Sequence, residues 1–303
     1  MSKLIKLRKQ IDQIDNHLLE LLNQRAVLAS QIGRTKLKAG LKSFAPERES
    51  KILERLARKN KGPLKPKIVN AVFNEIISGS RSMEKPLQIG YLGPAASFTH
   101  QASLEKFGSS ADYIACDNIA DIFAEVEKEH ADYGVVPIEN SIEGAVSYTL
   151  DMFVNSTLLI CSEIYLEISH NLISRYPMPK IKKVFSNPQV FGQCKSWLRS
   201  NLPQAELITV SSTTRAAQEA RRHQNSAAIA SLLAAREYRL NVIHQAIEDS
   251  PHNVTRFLVI GKQSPPLSDR DKTSIMFSIK DKVGALHDVL VVFKKNKINL
   301  TKI

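Results

Sequence analysis

Apolar residues recur at alternating intervals of three and four along the first part of the chain. They fall at positions 4, 7, 11, 14, 18, 21, 28 and 32, which is the spacing of a long helix with one apolar face. Two shorter helical patterns follow, after a turn at 38–46 and a break at 61–66. Residues 1–85 are therefore predicted to form an all-α helical domain.

Short apolar runs alternate with helical patterns in the next part of the chain. The strand-like runs are QIGYLG, ADYGVVPI, STLLICSEI, VFSNP and AAIA. Such alternation is typical of an α/β domain, which we assign to residues 86–263. The polar, proline-containing stretch at 264–271 is a predicted linker. Residues 272–303 then predict a strand, a helix over GALHDVLVVFKKN and the beginning of another strand.

One position in the apolar face of the first helix carries a charge, because residue 25 should be apolar and is Arg25. A guanidinium there requires a carboxylate, either from a neighbouring Glu or from a ligand. Lys36 lies about 16 Å along the helix and within about 20° of the same face, so the two cations can hold one small dianion. Arg8 is about 25 Å from Arg25 and turned about 100° away, so it can join only from an antiparallel partner helix. This geometry predicts a site shared in a helical homodimer.

Further candidate residues lie on the two shorter helical patterns. Arg48 and Glu49 follow Pro46, which suits the start of a helix. Ser80 and Glu84 are i,i+4 neighbours on one face of the third pattern. Taken one at a time, these residues are ordinary helix surface.

The charge balance singles out the same helical region. The chain has a net charge of +12, and residues 1–85 hold 19 Lys and Arg against 8 Asp and Glu. Solvated helix faces, a nucleic-acid surface or attraction of a small anionic substrate can each account for this excess. No nucleic-acid-binding motif is recognised, and the region holds only two aromatic residues, so nucleic acid is the weakest of the three.

The composition is that of an ordinary globular protein, with 43% hydrophobic and 24% charged residues. No apolar run approaches the roughly 20 residues of a membrane span, and the N-terminus becomes charged too early for a secretory signal. Cys116, Cys161 and Cys194 lack the spacing of a disulfide framework or a zinc site. We therefore predict a cytoplasmic protein with reduced thiols, no metal or cofactor and no membrane association.

Two sequence motifs in the α/β region begin or end predicted strands. YLGPAASFTHQA at 91–102 opens a helix whose N-terminus suits an anion, although a plain N-cap explains it as well. DYGVVPIENSIEGAV at 132–146 brings Glu139, Asn140 and Ser141 to the carboxyl end of a strand. Open α/β sheets bind ligands at that edge.

Candidate residues also occur in the second half of this region. VFSNPQVFGQC supplies Ser186 and Gln193, and DSPHNVTRFLVIG places Thr255 and Arg256 at the entrance of a strand. His170, in SHNLI, is either a site residue or a satisfied structural histidine.

The candidate residues of the helical region together resemble the all-helical chorismate mutases over essentially all of residues 1–85. The resemblance implies an intertwined dimer that rearranges chorismate to prephenate. It implies that Arg8 of one protomer and cations of the other hold chorismate, that Glu49 accepts a hydrogen bond from the substrate hydroxyl, and that two residues lie near the ether oxygen. In this chain the other cations are Arg25, Lys36 and Arg48, and the two residues are Ser80 and Glu84. Several relatives have Gln where Glu84 stands, and a carboxylate must be protonated to donate a hydrogen bond.

The motifs YLGP-x-x-S-F-T, VPIENS-x-EG, S-x-PQ and N-x-TRF occur in this order and resemble the prephenate dehydratases. The resemblance implies two α/β lobes with a cleft between them, similar to type II periplasmic binding proteins. It implies that Thr255 is the essential catalytic hydroxyl and that Arg256 supports binding of a substrate carboxylate. The residues that line the cleft would be Glu139, Asn140, Ser141, Ser186 and Gln193.

The last part of the chain resembles the first half of an ACT domain, the amino-acid-sensing α+β module of this family. The resemblance implies that the segment Gly284, Ala285, Leu286 and His287 approaches bound phenylalanine. A complete ACT domain is nearly twice this length, and its second binding motif is expected after Ile303. We therefore expect a fragment or a truncated product.

Three classes of function remain to be compared. The first is a bifunctional enzyme of phenylalanine biosynthesis that acts on chorismate and prephenate without a cofactor. The second is a non-catalytic sensor of amino acids, and the third is a basic nucleic-acid binder. The presence of Thr255 together with the full set of cations and Glu49 favours the enzyme.

Overall fold

Three helices form the N-terminal region in the computed structural model, which describes residues 2–38, 46–83, 85–267 and 271–302. They are α1 (Ser2–Lys38), α2 (Pro46–Lys59) and α3 (Pro66–Ser82). A proline stands first in both α2 and α3, where the missing N–H removes no helical hydrogen bond. The prediction of a helical N-terminal region is confirmed.

The apolar face of α1 is open to solvent within a single chain. Its eight apolar residues, at the positions that predicted the helix, are each between 46% and 60% exposed. Within the described chain, α2 buries no residue and α3 buries Val69, Ile77 and Ser78. The three helices therefore form little core of their own in one chain.

Eleven strands are assigned within the described residues. In chain order they are β1 (Gln88–Leu92), β2 (Asp112–Cys116), β3 (Tyr133–Asn140), β4 (Gly144–Ala145), β5 (Leu159–Glu167), β6 (Asn171–Ser174), β7 (Lys183–Ser186), β8 (Glu206–Thr209), β9 (Ser226–Ala230), β10 (Asn241–His244) and β11 (Val254–Gly261). The helices among and after them are α4 (Phe98–Phe107), α5 (Ile119–Glu127), α6 (Ser147–Asn155), α7 (Pro188–Gln193), α8 (Lys195–Asn201), α9 (Thr213–Arg222), α10 (Leu232–Glu237) and α11 (Ala285–Lys295).

The strands form two sheets, each with covering helices. The first sheet has the order β2-β1-β3-β11-β5, with β4 paired to β3, and the second has the order β10-β6-β9-β7-β8. In the first sheet β1 runs parallel to β2 and β3, whereas β11 runs antiparallel to β3 and β5. The chain builds the first lobe from β1 to β5 and the second from β6 to β10, and β11 then returns to the first. The predicted two-lobed α/β region is confirmed.

The central strands of each sheet are mostly buried on both faces. Along β11, Phe257 and Val259 pack in one apolar cluster and Leu258 and Ile260 pack in another, as alternation along a strand requires. The second sheet is covered by apolar residues of α9 and α10 on one face and of α7 and α8 on the other. The returning strand β11 therefore lies in the middle of the first core and has a fixed position.

Residues 267–303 form a separate unit. The predicted helix is present as α11, but the predicted strands are wrong, since residues 271–302 contain no assigned strand. A strand is held by hydrogen bonds to a neighbouring strand, and the described part of this unit supplies no such neighbour. Across the described chain, no helix is long and apolar enough to span a membrane.

Candidate active sites

Arg25 reaches from α1 to α3. Its Nη1 donates to the Ser80 hydroxyl and to the Ile76 carbonyl, the latter at 3.4 Å, and Ser80 Oγ also donates to that carbonyl at 2.7 Å. Burial lowers the pKa of the Arg25 guanidinium. No carboxylate in the described residues forms an ion pair with Arg25, so the alternative of a neighbouring Glu partner is not observed there.

The side chain of Glu49 on α2 contacts α3. Its Oε1 is 3.1 Å from Nη1 of Arg81, and the two side chains are only 15% and 11% exposed. Burial raises the pKa of the Glu49 carboxyl, whereas Arg81, Lys106 and Lys36 act in the opposite direction. Sequence reasoning selected Glu49 and Lys36 but missed both Arg81 and Lys106.

The other predicted chorismate contacts are less closely grouped. Lys36 is half-buried near the end of α1 and within electrostatic range of Glu49. Arg48 is exposed on α2, and Arg8 is exposed near the start of α1, about 25 Å from Arg25 along the same helix. The structure therefore does not bring Arg8 to the others within one chain. Glu84 lies outside the described residues.

Thr255 and Asn140 are direct partners on the neighbouring strands β11 and β3. Asn140 Nδ2 donates to Thr255 Oγ1 and to Asn253 Oδ1, both at 2.8 Å. Asn140 Oδ1 accepts from the backbone amides of Ile142 and Glu143, at 2.9 and 3.1 Å. These backbone donors fix which end of the amide faces Thr255. Thr255 therefore accepts from Asn140, and this contact leaves the proton of its hydroxyl for another acceptor.

Gln193 connects this pair to the second lobe. Its Oε1 accepts from Asn253 Nδ2 at 3.1 Å and lies 2.7 Å from His170 Nε2. Because a carbonyl oxygen only accepts, His170 carries its proton on Nε2. Burial lowers the pKa of His170, although Gln193 opposes the shift. Glu143 closes the network by accepting from Gln193 Nε2 at 3.1 Å and from Gln189 Nε2 at 2.6 Å.

Arg256 and Glu139 do not belong to this network. Thr255 and Arg256 are successive in β11, so their side chains point to opposite faces of the sheet. Arg256 Nε donates to Glu163 Oε1 at 3.1 Å, its Nη2 also contacts that oxygen, and its Nη1 lies 3.7 Å from Glu139 Oε2. Two carboxylates thus neutralise Arg256, and the structure does not bring it to Thr255.

Two predicted serines make hydrogen bonds to the backbone. Ser186 is fully buried at the end of β7 and donates to the Ile229 carbonyl at 3.1 Å. Ser141 donates to the His252 carbonyl at 3.0 Å and accepts from the Val254 amide at 3.0 Å. Both hydroxyls therefore hold neighbouring segments in place.

A cavity of about 470 Å³ lies where the parallel strands β7 and β8 end. Gln189 lines it and donates to Glu143, which places the cavity next to the Thr255 network. Open α/β sheets bind ligands at the carboxyl ends of their strands. The other lining residues are Asn187, Pro188, Thr209, Val210 and Ser211.

In the separate C-terminal unit, Gly284 precedes α11 with a φ of +80°, a left-handed conformation that favours glycine. A cavity of about 390 Å³ is lined by Gly284, Ala285, Leu286 and His287 together with residues 279–282. The four residues predicted to bind phenylalanine thus border one cavity.

Cysteine and metal chemistry find little support in the described chain. No group of three or more His, Cys, Asp or Glu side chains there is placed to hold a metal ion. Cys116, Cys161 and Cys194 are free and buried. Burial raises the pKa of the Cys116 thiol to about 11 and that of Cys194 to about 12, which disfavours a reactive thiolate.

Comparison with known proteins identifies both regions. The chorismate mutase type II family model matches residues 7–85, and the prephenate dehydratase family model matches residues 89–265. A bifunctional chorismate mutase/prephenate dehydratase of Aquifex aeolicus is 48% identical over 100% of this chain and 85% of its own length. One from Pseudomonas aeruginosa is 41% identical with the same coverage.

Solved structures of prephenate dehydratases resemble the α/β region. The prephenate dehydratase of Arthrobacter aurescens, determined in complex with L-Phe, is 31% identical with a TM-score of 0.62, covering 72% of this chain and 75% of that chain. The prephenate dehydratase of Staphylococcus aureus is 32% identical with a TM-score of 0.60, covering 71% and 82%.

The helical region and the two-lobed α/β region together define a biosynthetic enzyme with an isomerase part and a lyase part. The chain belongs to the family of bifunctional chorismate mutase/prephenate dehydratases of phenylalanine biosynthesis. The leading sequence prediction, a bifunctional enzyme, is confirmed. The resemblance of the C-terminal unit to an ACT domain stays a prediction.

Proposed function

We propose that the two activities use two separate sites, one among the helices and one around Thr255. Chorismate is rearranged to prephenate in the first, and prephenate is converted to phenylpyruvate in the second. The observation that carries this assignment is the orientation of the Thr255 hydroxyl, whose oxygen accepts from Asn140 and whose proton is left for the substrate.

The mutase site needs no nucleophile or metal, because the reaction is a unimolecular rearrangement. It requires a compact substrate conformer and stabilisation of the breaking C–O bond. The position of Arg25 beside Ser80 and of Lys36 near Glu49 supports a dianion site between α1, α2 and α3. Glu49 accepts from the substrate hydroxyl, and the residues that hold the rest of chorismate are Arg25, Lys36, Arg48, Ser80 and Glu84.

Arg8 enters this site from a second copy of the chain. The exposed apolar face of α1 supports a dimer, because a second α1 packed along it would remove eight half-exposed apolar side chains per chain from water. In an antiparallel pair, Arg8 of one protomer lies near Arg25 of its partner. The proposed homodimer therefore completes two chorismate sites.

At the dehydratase site, prephenate loses its ring carboxylate as CO₂ and its ring hydroxyl as water. The electron pair of the broken C–C bond enters the ring, which becomes aromatic as the hydroxide departs. Thr255 donates its hydroxyl proton to that leaving group, and water restores the proton after product release. Asn140 donates to the Thr255 oxygen and also to Asn253. Asn253 in turn donates to Gln193 of the second lobe, which links the Thr255 site to that lobe.

Other predicted prephenate contacts have weaker structural support. Arg256 and Glu139 lie on the other face of the sheet, and Ser141 and Ser186 are bonded to the backbone. We therefore place the substrate between Thr255 and the cavity at Gln189. The neutral His170 lies at the edge of this site and orients Gln193.

The experiment that tests the dehydratase assignment compares Thr255→Ser with Thr255→Val, using prephenate as the substrate. The serine variant retains a hydroxyl that accepts from Asn140 and should keep much of the wild-type kcat. The valine variant has a similar shape but no proton to donate, and its kcat should fall about a hundredfold or more. Equal rates for the two variants would remove Thr255 from the proposed chemistry.

Phenylalanine is the proposed effector in a complete ACT domain, of which Gly284, Ala285, Leu286 and His287 would form one part of the binding site; in this chain those four residues border a cavity. The similar prephenate dehydratase of Arthrobacter aurescens was determined in complex with L-Phe, which supports phenylalanine as a ligand within the family. Titration calorimetry with L-phenylalanine and D-phenylalanine tests this, since a specific site distinguishes the two. We also propose a cytoplasmic location, on the support of the three free, buried thiols.

A further inference from the structure

The last turns of α3 pack directly against the end of α4, where the helical region meets the first α/β lobe. Arg81 Nη2 donates to the Phe107 carbonyl at 2.8 Å. The Glu75 carboxylate accepts from the amide and the hydroxyl of Ser109, at 3.1 and 2.7 Å. These hydrogen bonds hold one face of α3 on the dehydratase lobe.

Gly108 allows this close approach. It has a φ of +76°, and a Cβ at this position would lie 2.4 Å from Ser78 Cβ. Just beyond it, the Ser110 amide donates to Ser78 Oγ at 3.3 Å. The backbone at Gly108 therefore packs directly against α3. This contact fixes the distance between α3 and the end of α4.

The arginine that binds the Phe107 carbonyl also binds Glu49. Nη1 of Arg81 is 3.1 Å from Glu49 Oε1, and both side chains are nearly buried. Lys106 precedes Phe107 on α4, so it stands next to the residue whose carbonyl binds Arg81. Burial lowers the pKa of the Lys106 ammonium and Glu49 opposes that shift, while Lys106 in turn lowers the pKa of Glu49. Glu49 is thus bordered by one cation bound to the dehydratase backbone and by a second that belongs to the dehydratase lobe.

We propose that Arg81 and Lys106 are positioning residues for the mutase reaction, and that the first dehydratase lobe completes the chorismate site through them. Arg81 fixes the place of the Glu49 carboxylate, because the Phe107 carbonyl fixes Arg81. Lys106 supplies positive charge that keeps this carboxylate ionised. The inference rests on the proposed role of Glu49 as acceptor for the substrate hydroxyl.

The charges around Glu49 set the direction of the expected effect. Burial and the neighbouring Glu47 raise the pKa of Glu49, and the phenol of Tyr133 on β3 is within electrostatic range. The groups that lower that pKa are Arg81, Lys106 and Lys36. An ionised carboxylate accepts a hydrogen bond more strongly than a neutral acid. Loss of the Lys106 charge raises the pKa of Glu49 further, so mutase activity should be lost at a higher pH on acidification.

The test compares Lys106→Met with two controls in the full chain. Lys106→Arg keeps the charge, and Lys128→Met removes the charge of an exposed lysine at the end of α5. Mutase rates on chorismate and dehydratase rates on prephenate are measured across pH in the same preparations. We expect Lys106→Met to lower the mutase kcat/KM about tenfold on the acidic side and to move the acidic limb of the profile to higher pH. Its dehydratase rate and both controls should follow the wild type.

A Lys106→Met mutase profile that superimposes on the wild-type profile would overturn the proposal. If that variant does not fold, Arg81→Gln takes its place, with Arg81→Lys as the matched control. Glu49→Ala separates this inference from the function on which it rests. A Glu49→Ala protein that keeps its mutase activity removes the proposed role of Glu49. An inactive Glu49→Ala protein combined with an unchanged Lys106→Met profile overturns this inference and leaves the proposed role of Glu49 intact.

Discussion

Asn140→Asp is the substitution that tests the dehydratase network most sharply, because it changes hydrogen-bond polarity without changing shape. The carboxylate can still accept from the Ile142 and Glu143 amides, as the amide oxygen does. The other two contacts are reversed, since Asn140 Nδ2 now donates to Thr255 and to Asn253 at 2.8 Å. In the variant, the Thr255 hydroxyl must donate its proton to the carboxylate at position 140. That proton then points away from the substrate.

The size of the effect follows from these contacts. A positioned proton donor contributes about a hundredfold to ten-thousandfold to a rate, so the dehydratase kcat should fall about a hundredfold to a thousandfold. Two oxygens would also face each other where Asn140 meets Asn253, at a cost of about 1–3 kcal/mol in stability. Asn140→Ala loses the same contacts but leaves the Thr255 hydroxyl free to rotate, so it should retain more activity than Asn140→Asp.

The assay follows phenylpyruvate formation from prephenate, with mutase activity on chorismate as the measure of correct folding. The Asn140→Asp protein should recover part of its rate relative to the wild type as the pH falls, because a protonated carboxyl can again donate to Thr255. The reasoning is refuted if Asn140→Asp turns over prephenate at the wild-type rate, or faster than Asn140→Ala.

Three further predictions, made with four substitutions, address the separate sites, the shared mutase site and the junction at Gly108. Thr255→Ala should abolish phenylpyruvate formation while prephenate accumulates from chorismate, and Arg25→Ala should block the mutase but leave prephenate a good substrate; loss of both activities in either folded variant would contradict separate sites. Arg8→Ala and Arg25→Ala proteins, refolded together, should regain mutase activity because mixed dimers contain one intact site; inactive proven heterodimers would exclude a shared site. Gly108→Ala should lower the free energy of unfolding by about 1–3 kcal/mol, because the added Cβ would clash with Ser78 and residue 108 has a positive φ. Urea denaturation measures this change, and an unchanged midpoint would show that the junction adjusts to the added Cβ.

The architecture could be predicted wherever a local pattern carried the information. The alternating spacing of apolar residues identified α1, and the buried run of ADYGVVPI identified β3. Strands β2, β4, β6, β8 and β10 were not among the predicted runs. Strands β2, β8 and β10 lie at the edges of their sheets, where a strand is half-exposed and carries fewer apolar residues, as DYIAC, ELIT and NVIH do. Strand β4 has only two residues, and β6, which lies inside the second sheet, has four, so each carries little periodic pattern.

The predicted dehydratase site included every candidate residue of each motif, without regard to which face of the sheet each side chain occupies. Thr255 and Arg256 are adjacent in the sequence, but strand alternation sends them to opposite sides of the sheet. That signal was present once a strand was assigned to TRFLVIG. Glu143 and Gln189 also lie within the quoted motifs, but no local pattern shows that they meet across the two lobes.

Arg81 and Lys106 could not be selected from the sequence. Each is an ordinary cation near the end of a helix, and their effect on Glu49 depends on how α3 packs against α4. The positive φ of Gly108 is likewise a property of the packed junction.

The central claim is that one chain carries out two consecutive reactions at two sites. The most direct test supplies chorismate to the purified protein and separates chorismate, prephenate and phenylpyruvate over time. The account predicts that chorismate declines, that prephenate rises and falls, and that phenylpyruvate accumulates with one CO₂ released per molecule. Chorismate that remains unchanged, or prephenate that accumulates without any phenylpyruvate, would contradict it.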